Sequence, residues 1–94
     1  MDINGVLEQS DFFRSLPAAQ RRAVGAICIP KALKKREILF LEGQTGHSMF
    51  LMAQGVVQLF KTSPDGKEVI IKLVRPGEIF GEVVLFQRDR YPVS

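Results

Sequence analysis

Gly55-Val-Val-Gln-Leu-Phe-Lys-Thr-Ser-Pro-Asp-Gly-Lys-Glu-Val-Ile-Ile-Lys-Leu-Val-Arg-Pro-Gly77 decides the class of fold. Val56–Phe60 and Val69–Val74 are short runs rich in branched and aromatic residues, the composition of half-buried strands. Between them, Ser63-Pro-Asp-Gly66 is a hairpin turn with a mechanism: the proline presets φ and the glycine accepts a positive one. In the second run Val69, Ile71 and Leu73 alternate onto one apolar face, with Glu68 and Lys72 on the other. Toward the amino terminus the same texture continues in Ile38–Leu41 and Met49–Met52, separated by turn signals at Gly43-Gln-Thr-Gly46 and Gln54-Gly55. Gly43, Gly55, Gly66 and Gly77 recur every eleven or twelve residues, the turn spacing of an antiparallel sandwich or barrel. Strands are therefore expected across 36–82.

The carboxyl-terminal stretch reads Arg75-Pro-Gly-Glu-Ile-Phe-Gly-Glu-Val-Val-Leu-Phe-Gln-Arg-Asp-Arg-Tyr-Pro-Val-Ser94. A turn at Pro76-Gly77 leads to an extended step through Ile79-Phe80, then Gly81, then an apolar helical turn over Val83–Phe86. A glycine and a carboxylate just before a helical turn make a candidate pocket for an anion and a hydroxyl. Free N–H groups at a helix start face outward, and glycine admits close approach to the backbone.

Before the strands, Phe12, Phe13 and Leu16 suggest a helical turn that plugs onto a core. Pro17 suits the first turn of a helix, and Ala19, Ala23 or Val24, and Ile27 recur at helical spacing from Ala18 to about Cys28. Pro30 ends it. Helices thus occupy 11–30, and the whole reads as a mainly β fold, an antiparallel β-roll preceded by a helix. Four or five strands leave open edges, so residues 1–94 are expected to be the front part of one domain in a longer chain.

Composition narrows the function classes. Ninety-four residues with 46% hydrophobic and 24% charged side chains describe one small globular domain. No apolar run approaches the roughly 18 residues of a membrane span, and Met1-Asp-Ile-Asn-Gly5 lacks a basic region followed by an apolar stretch, so no secretory signal is expected. Thirteen basic and ten acidic residues give a net charge of +3, partly clustered at Lys31, Lys34, Lys35 and Arg36, which reads as a solvated edge. Cys28 is the single cysteine, read as a buried thiol in a reducing cytoplasm. His47, the single histidine, sits in a polar turn and reads as solvated. Met49 and Met52 point to opposite faces and read as core filling.

The ordered glycines, with Phe40-Leu-Glu-Gly43, Phe50-Leu-Met-Ala-Gln-Gly55 and Pro76-Gly-Glu-Ile-Phe-Gly-Glu82, resemble the cyclic-nucleotide-binding domain. More narrowly, the chain resembles the sensor half of bacterial Crp/Fnr transcription regulators, over roughly Asp11 to Phe86. The resemblance implies a β-roll or jelly roll followed, beyond these residues, by a dimerisation helix and a helix-turn-helix whose recognition helix enters the major groove. It implies a cytoplasmic homodimer that takes a small-molecule effector and binds promoter DNA alongside RNA polymerase.

In the cyclic-nucleotide binders the Gly-Glu pair opens a phosphate-binding cassette, which here is 81–94. Carried over, Gly81 and neighbouring N–H groups, Val83 among them, face the cyclic phosphate, and Glu82 accepts from the ribose 2′-hydroxyl. Glu82 has a structural rival role as a cap or as a partner of Arg88 or Arg90, and Gly81 as a backbone angle. The cassette also needs an arginine, but at that spacing the chain has Tyr91-Pro-Val-Ser94, and Arg90 comes about two residues early. A proline there removes a backbone donor. The resemblance therefore leaves the effector open between a cyclic nucleotide, with Arg90 serving through a shorter loop, and another signal such as nitric oxide, carbon monoxide or redox state, in some relatives through haem. The second is favoured. The runner-up is a genuine cAMP or cGMP module of a transcription factor, kinase or channel. A cupin-type enzyme needs several converging imidazoles and carboxylates, which one histidine cannot supply, and no Ser-His-Asp or Cys-His set is present.

Overall fold

A computed structural model describes residues 2–82 and 90–94. The element order is α1 (Ile3–Gln9), α2 (Ala18–Ile27), β1 (Phe50–Leu51), β2 (Val57–Thr62), β3 (Glu68–Val74) and β4 (Ile79–Phe80).

The first helix begins earlier than 11–30, and the residues say why. Asp2 caps it by accepting from the Gly5 N–H at 3.1 Å, and Ile3, Val6 and Leu7 share one face. Seven residues are too few for a stable isolated helix, so packing must hold it. Leu7 is fully buried, and a Cβ at Gly25 of α2 would meet the Asn4 side chain at 2.8 Å and Leu7 at 3.4 Å. Small size at Gly25 thus lets the two helices approach. The α2 boundaries agree with the helical reading, but the buried face does not. Val24 and Gly25 are half-buried, whereas Ala19, Ala23 and Ile27 face solvent, Ile27 with 79% of its surface exposed. Phe12 is exposed too, so Leu7 rather than Phe12 plugs this end. A hydrogen-bonded turn does run from Ser10 to Arg14, as the Phe13 and Arg14 N–H groups both donate to the Ser10 carbonyl.

The four strands among the described residues pair antiparallel, in two ribbons: β1 with β4 and β2 with β3. Ile38–Leu41 forms no strand. The Leu41 N–H donates to the Gln44 side chain at 3.0 Å, and the Gln44 N–H returns to the Leu41 carbonyl at 3.0 Å, so a local turn takes the groups a ladder would need. The turns themselves fall where the glycines marked them: Gly43, Gly55, Gly66 and Gly77 have φ between 80° and 90°. At Gly77 (φ 90°) an added Cβ would stand 3.2 Å from the Gln9 carbonyl oxygen, which docks the end of α1 onto the turn before β4. In the hairpin, the Gly66 N–H donates to the Ser63 carbonyl and the Ser63 N–H to the Lys67 carbonyl, at 2.9 and 2.7 Å.

The simple alternation read for Val69–Leu73 is broken by a register shift between Leu59 and Phe60. Directly paired residues share a sheet face. Above the shift Val57 pairs with Val74 and Leu59 with Lys72; below it Phe60 pairs with Ile70. Val57, Leu59 and Val74 belong to the core cluster, so Lys72 lies on the core side and Leu73, paired with Gln58, on the far side.

The core is aromatic. Phe40, Phe80, Tyr91 and Val74 are buried, with Leu39, Phe50, Met52, Val57 and Leu59 packed against them. Phe40 lies on Tyr91 at 3.8 Å between ring centroids and 13° between planes, and Phe50 on Phe80 at 5.2 Å. Met52 fills this core as read, whereas Cys28 is exposed at the end of α2, against the expectation of a buried thiol. His47 is exposed, as a solvated turn residue should be.

Candidate functional site

The segment 90–94 ties the molecule together and builds the site. The Tyr91 N–H donates to the Gln44 carbonyl at 3.0 Å, and the Gly43 N–H donates to the Tyr91 carbonyl at 2.8 Å. Ser94 and Phe60 exchange both backbone bonds at 2.9 Å, which seats the segment on the free edge of β2. The Ser94 hydroxyl also accepts from the Glu42 N–H at 2.8 Å. A Pro92-containing segment thus bridges the turn 41–44 to the hairpin.

A cavity of about 120 Å³ opens where these elements meet, lined by Phe40, Leu59, Lys72, Ile79, Phe80, Gly81, Glu82, Tyr91, Pro92 and Val93. Gly81 and Glu82, the two residues read as the entrance of the pocket, are both half-buried in its wall. Gly81 has φ 73°, and a Cβ there would lie 3.1 Å from the Phe50 ring and 3.3 Å from the Tyr91 ring. Backbone angle and crowding therefore each require glycine here, whichever ligand binds. Glu82 makes no ion pair with any cation among the described residues.

Arg90 is exposed, and its backbone bridges to Thr45. Its guanidinium donates to the Gly43 carbonyl at 3.3 Å, and it is not among the residues lining the cavity. Val83, Arg88 and the helical turn expected at Val83–Phe86 lie outside the described residues.

Tyr91 takes the inner position instead. Its hydroxyl donates to the Ser48 carbonyl at 2.9 Å, and burial pushes the phenol above its ordinary pKa. Gly46 is buried beneath this ring, since a Cβ there would lie 2.4 Å from Tyr91 Cε2. Sequence reasoning had treated Gly46 as a turn signal alone. Lys72 was missed as a site residue because it was assigned to the face away from the apolar stripe. Its ammonium lies 3.7 Å from Glu78 Oε2 in an exposed pair. The Glu78 carboxyl is held below its usual range, first by the Arg75 N–H it accepts at 2.8 Å and then by Lys72.

The described residues do not fit haem. The cavity is well under the roughly 300 Å³ at which pockets for drug-sized ligands begin. Tyr91, the one lining group of an axial-ligand type, has its hydroxyl committed to Ser48. Among the described residues no three His, Cys, Asp or Glu side chains converge to hold a metal ion, and no helix is long and apolar enough to cross a membrane.

Comparison with known proteins agrees with this architecture. The chain is 43% identical over 56 residues to the cyclic AMP receptor protein of Thermus thermophilus, covering 60% of this chain and 26% of the relative. It is 29% identical over 70 residues to the anaerobic regulatory protein of Bacillus subtilis, covering 73% and 29%. The chain thus spans under a third of the length of both. In structure it is similar to the N-terminal domain of a transcriptional regulator from Streptomyces coelicolor, with a TM-score of 0.83, 32% identity, and 94% and 62% of the two chains covered. These proteins are named as receptors or regulators, and the antiparallel β-roll fold is shared. Residues 30–94, from the end of the helices through Glu82 to Ser94, match the cyclic nucleotide-binding domain family, and it is to this family, in the company of Crp/Fnr-type regulators, that the chain belongs.

Proposed function

We propose that this domain is the sensor of a bacterial Crp/Fnr-type transcription regulator, and that its effector is not cAMP. The observation that carries the effector reading is the position of Arg90. Its guanidinium is spent on the Gly43 carbonyl, while Tyr91 and Pro92 line the cavity beside Gly81 and Glu82. Among the described residues a cyclic phosphate there would meet no guanidinium, and a charged hydrogen-bond partner is worth about twice a neutral one. Glu82 keeps the capacity to accept from a hydroxyl of a different effector.

Under this reading the effector shifts the equilibrium between two arrangements of a cytoplasmic homodimer. A helix-turn-helix outside these residues then binds promoter DNA and engages RNA polymerase. Gel-shift titration of the full-length protein against DNA from upstream of its own gene tests this. Specific, salt-sensitive binding that changes with small-molecule extracts of the host is expected; no DNA binding under any condition would remove the reading.

The second reading is a genuine cAMP or cGMP module of a transcription factor, kinase or channel. It is favoured by one observation, the 43% identity to a protein named as a cyclic AMP receptor.

A further inference from the structure

We propose that Lys72 is the anion-recognition residue of this cavity, and that the ligand it takes is a small hydroxylated anion: a hydroxy acid or a polyol phosphate. The assignment rests on reading Gly81-Glu82 as the effector entrance.

Three observations carry it. Lys72 lies on the core side of the hairpin, paired with Leu59 and two residues from the buried Val74. Its side chain is about half exposed, so the ammonium stays hydrated at the mouth of the cavity while the stem covers apolar surface. Among the described residues, Lys72 and Glu82 are the two charged ones lining the cavity, and Leu59, Ile79 and Val93 are among its apolar walls. A cation and a carboxylate across one apolar space suit a ligand with an anionic head and a hydroxyl donor.

The existing partner of Lys72 is easily exchanged. Glu78 lies 3.7 Å away in a pair exposed on both sides, which contributes little. If Lys72 turns to a ligand, Glu78 still accepts from the Arg75 N–H. The cavity volume of about 120 Å³ sets the size of the guest, well short of the roughly 300 Å³ common for drug-sized ligands.

The test is calorimetric titration of the full chain, and of its Lys72→Met, Lys72→Arg and Arg90→Met variants, with lactate, glycerol 3-phosphate and cAMP as probes. Thermal unfolding of each variant checks that it folds. Saturable binding of lactate or glycerol 3-phosphate is expected, weakened about tenfold or more by Lys72→Met and changed less than about threefold by Lys72→Arg or Arg90→Met. Lactate binding without glycerol 3-phosphate, or the reverse, assigns the head group. Three results overturn the proposal. Neither small probe binds at about 10 mM; binding persists unchanged in a folded Lys72→Met; or cAMP binds more tightly than both. The first two leave the regulator reading intact, and the third also removes the claim that the effector is not cAMP.

Discussion

The two antiparallel ribbons of this domain make opposite use of their residues. β1 and β4 are two residues each, yet Phe50 and Phe80 stack in a cluster with the buried Phe40 and Tyr91. β2 and β3 are six and seven residues paired along their length apart from one register shift, yet Val69, Ile70 and Ile71 keep more than half of their surface exposed and only Val74 of β3 is buried. Strand length and burial have separated. A ladder needs backbone pairing and branched side chains, whereas a core needs several elements to converge, and convergence here is at the short strands and the segment 90–94. The cavity sits at the seam between the two ribbons, where Lys72 from one meets Gly81 and Glu82 beside the other.

The contrast is broken most strongly at Tyr91. Tyr91→Ala removes a ring stacked on Phe40 at 3.8 Å and should cost about 3–5 kcal/mol of unfolding free energy by denaturant titration, the range for large aromatic truncations. Gly46→Ala comes next. Its methyl would lie 2.4 Å from Tyr91 Cε2, and displacing a buried ring by overpacking costs about 1–3 kcal/mol, read as a lower denaturation midpoint.

Tyr91→Phe keeps the ring and loses the bond to the Ser48 carbonyl, for about 0.5–1.5 kcal/mol at neutral pH. The same variant has a pH signature. Because burial raises the phenol's pKa in the folded state, the stability linked to the neutral phenol is fully present below the ordinary value of 10.0 and is lost as pH rises through the raised one. Thermal unfolding of the parent should therefore weaken on the alkaline side of pH 10, and Tyr91→Phe should lack that part of the decline. At the other extreme, Ile71→Thr on the exposed hairpin should change stability by no more than about 0.5 kcal/mol, despite altering the most strand-like run in the sequence. A loss comparable to that of Tyr91→Ala would abolish the contrast between the ribbons.

Much of this architecture was legible in the residues. The turns at Gly43, Gly55, Gly66 and Gly77 follow from the one residue type that takes positive φ without strain, and α2 from spacing bounded by Pro17 and Pro30. The α1 helix was not read, because Asp2 followed by Ile3, Val6 and Leu7 is a pattern of only seven residues. What period-two alternation cannot reveal is which face becomes the core: Lys72 does lie on the opposite face from Leu73, but its pairing with Leu59, on the face of Val57 and Val74, makes that the core side. The burial of Tyr91 was equally hidden, because it depends on the turn at 41–44 and on the bare backbone of Gly46, neither of which is near it in sequence. In the site, Gly81 and Glu82 were readable as a pair, while the geometry of Arg90 required knowing that Gly43 returns beside it.

The measurement that bears most directly on the account is calorimetric titration of the full chain with cAMP. With Arg90 on the Gly43 carbonyl and Tyr91 in the inner position, no saturable heat is expected up to about 1 mM nucleotide. Saturable binding at about micromolar cAMP, lost in Glu82→Ala, would contradict it.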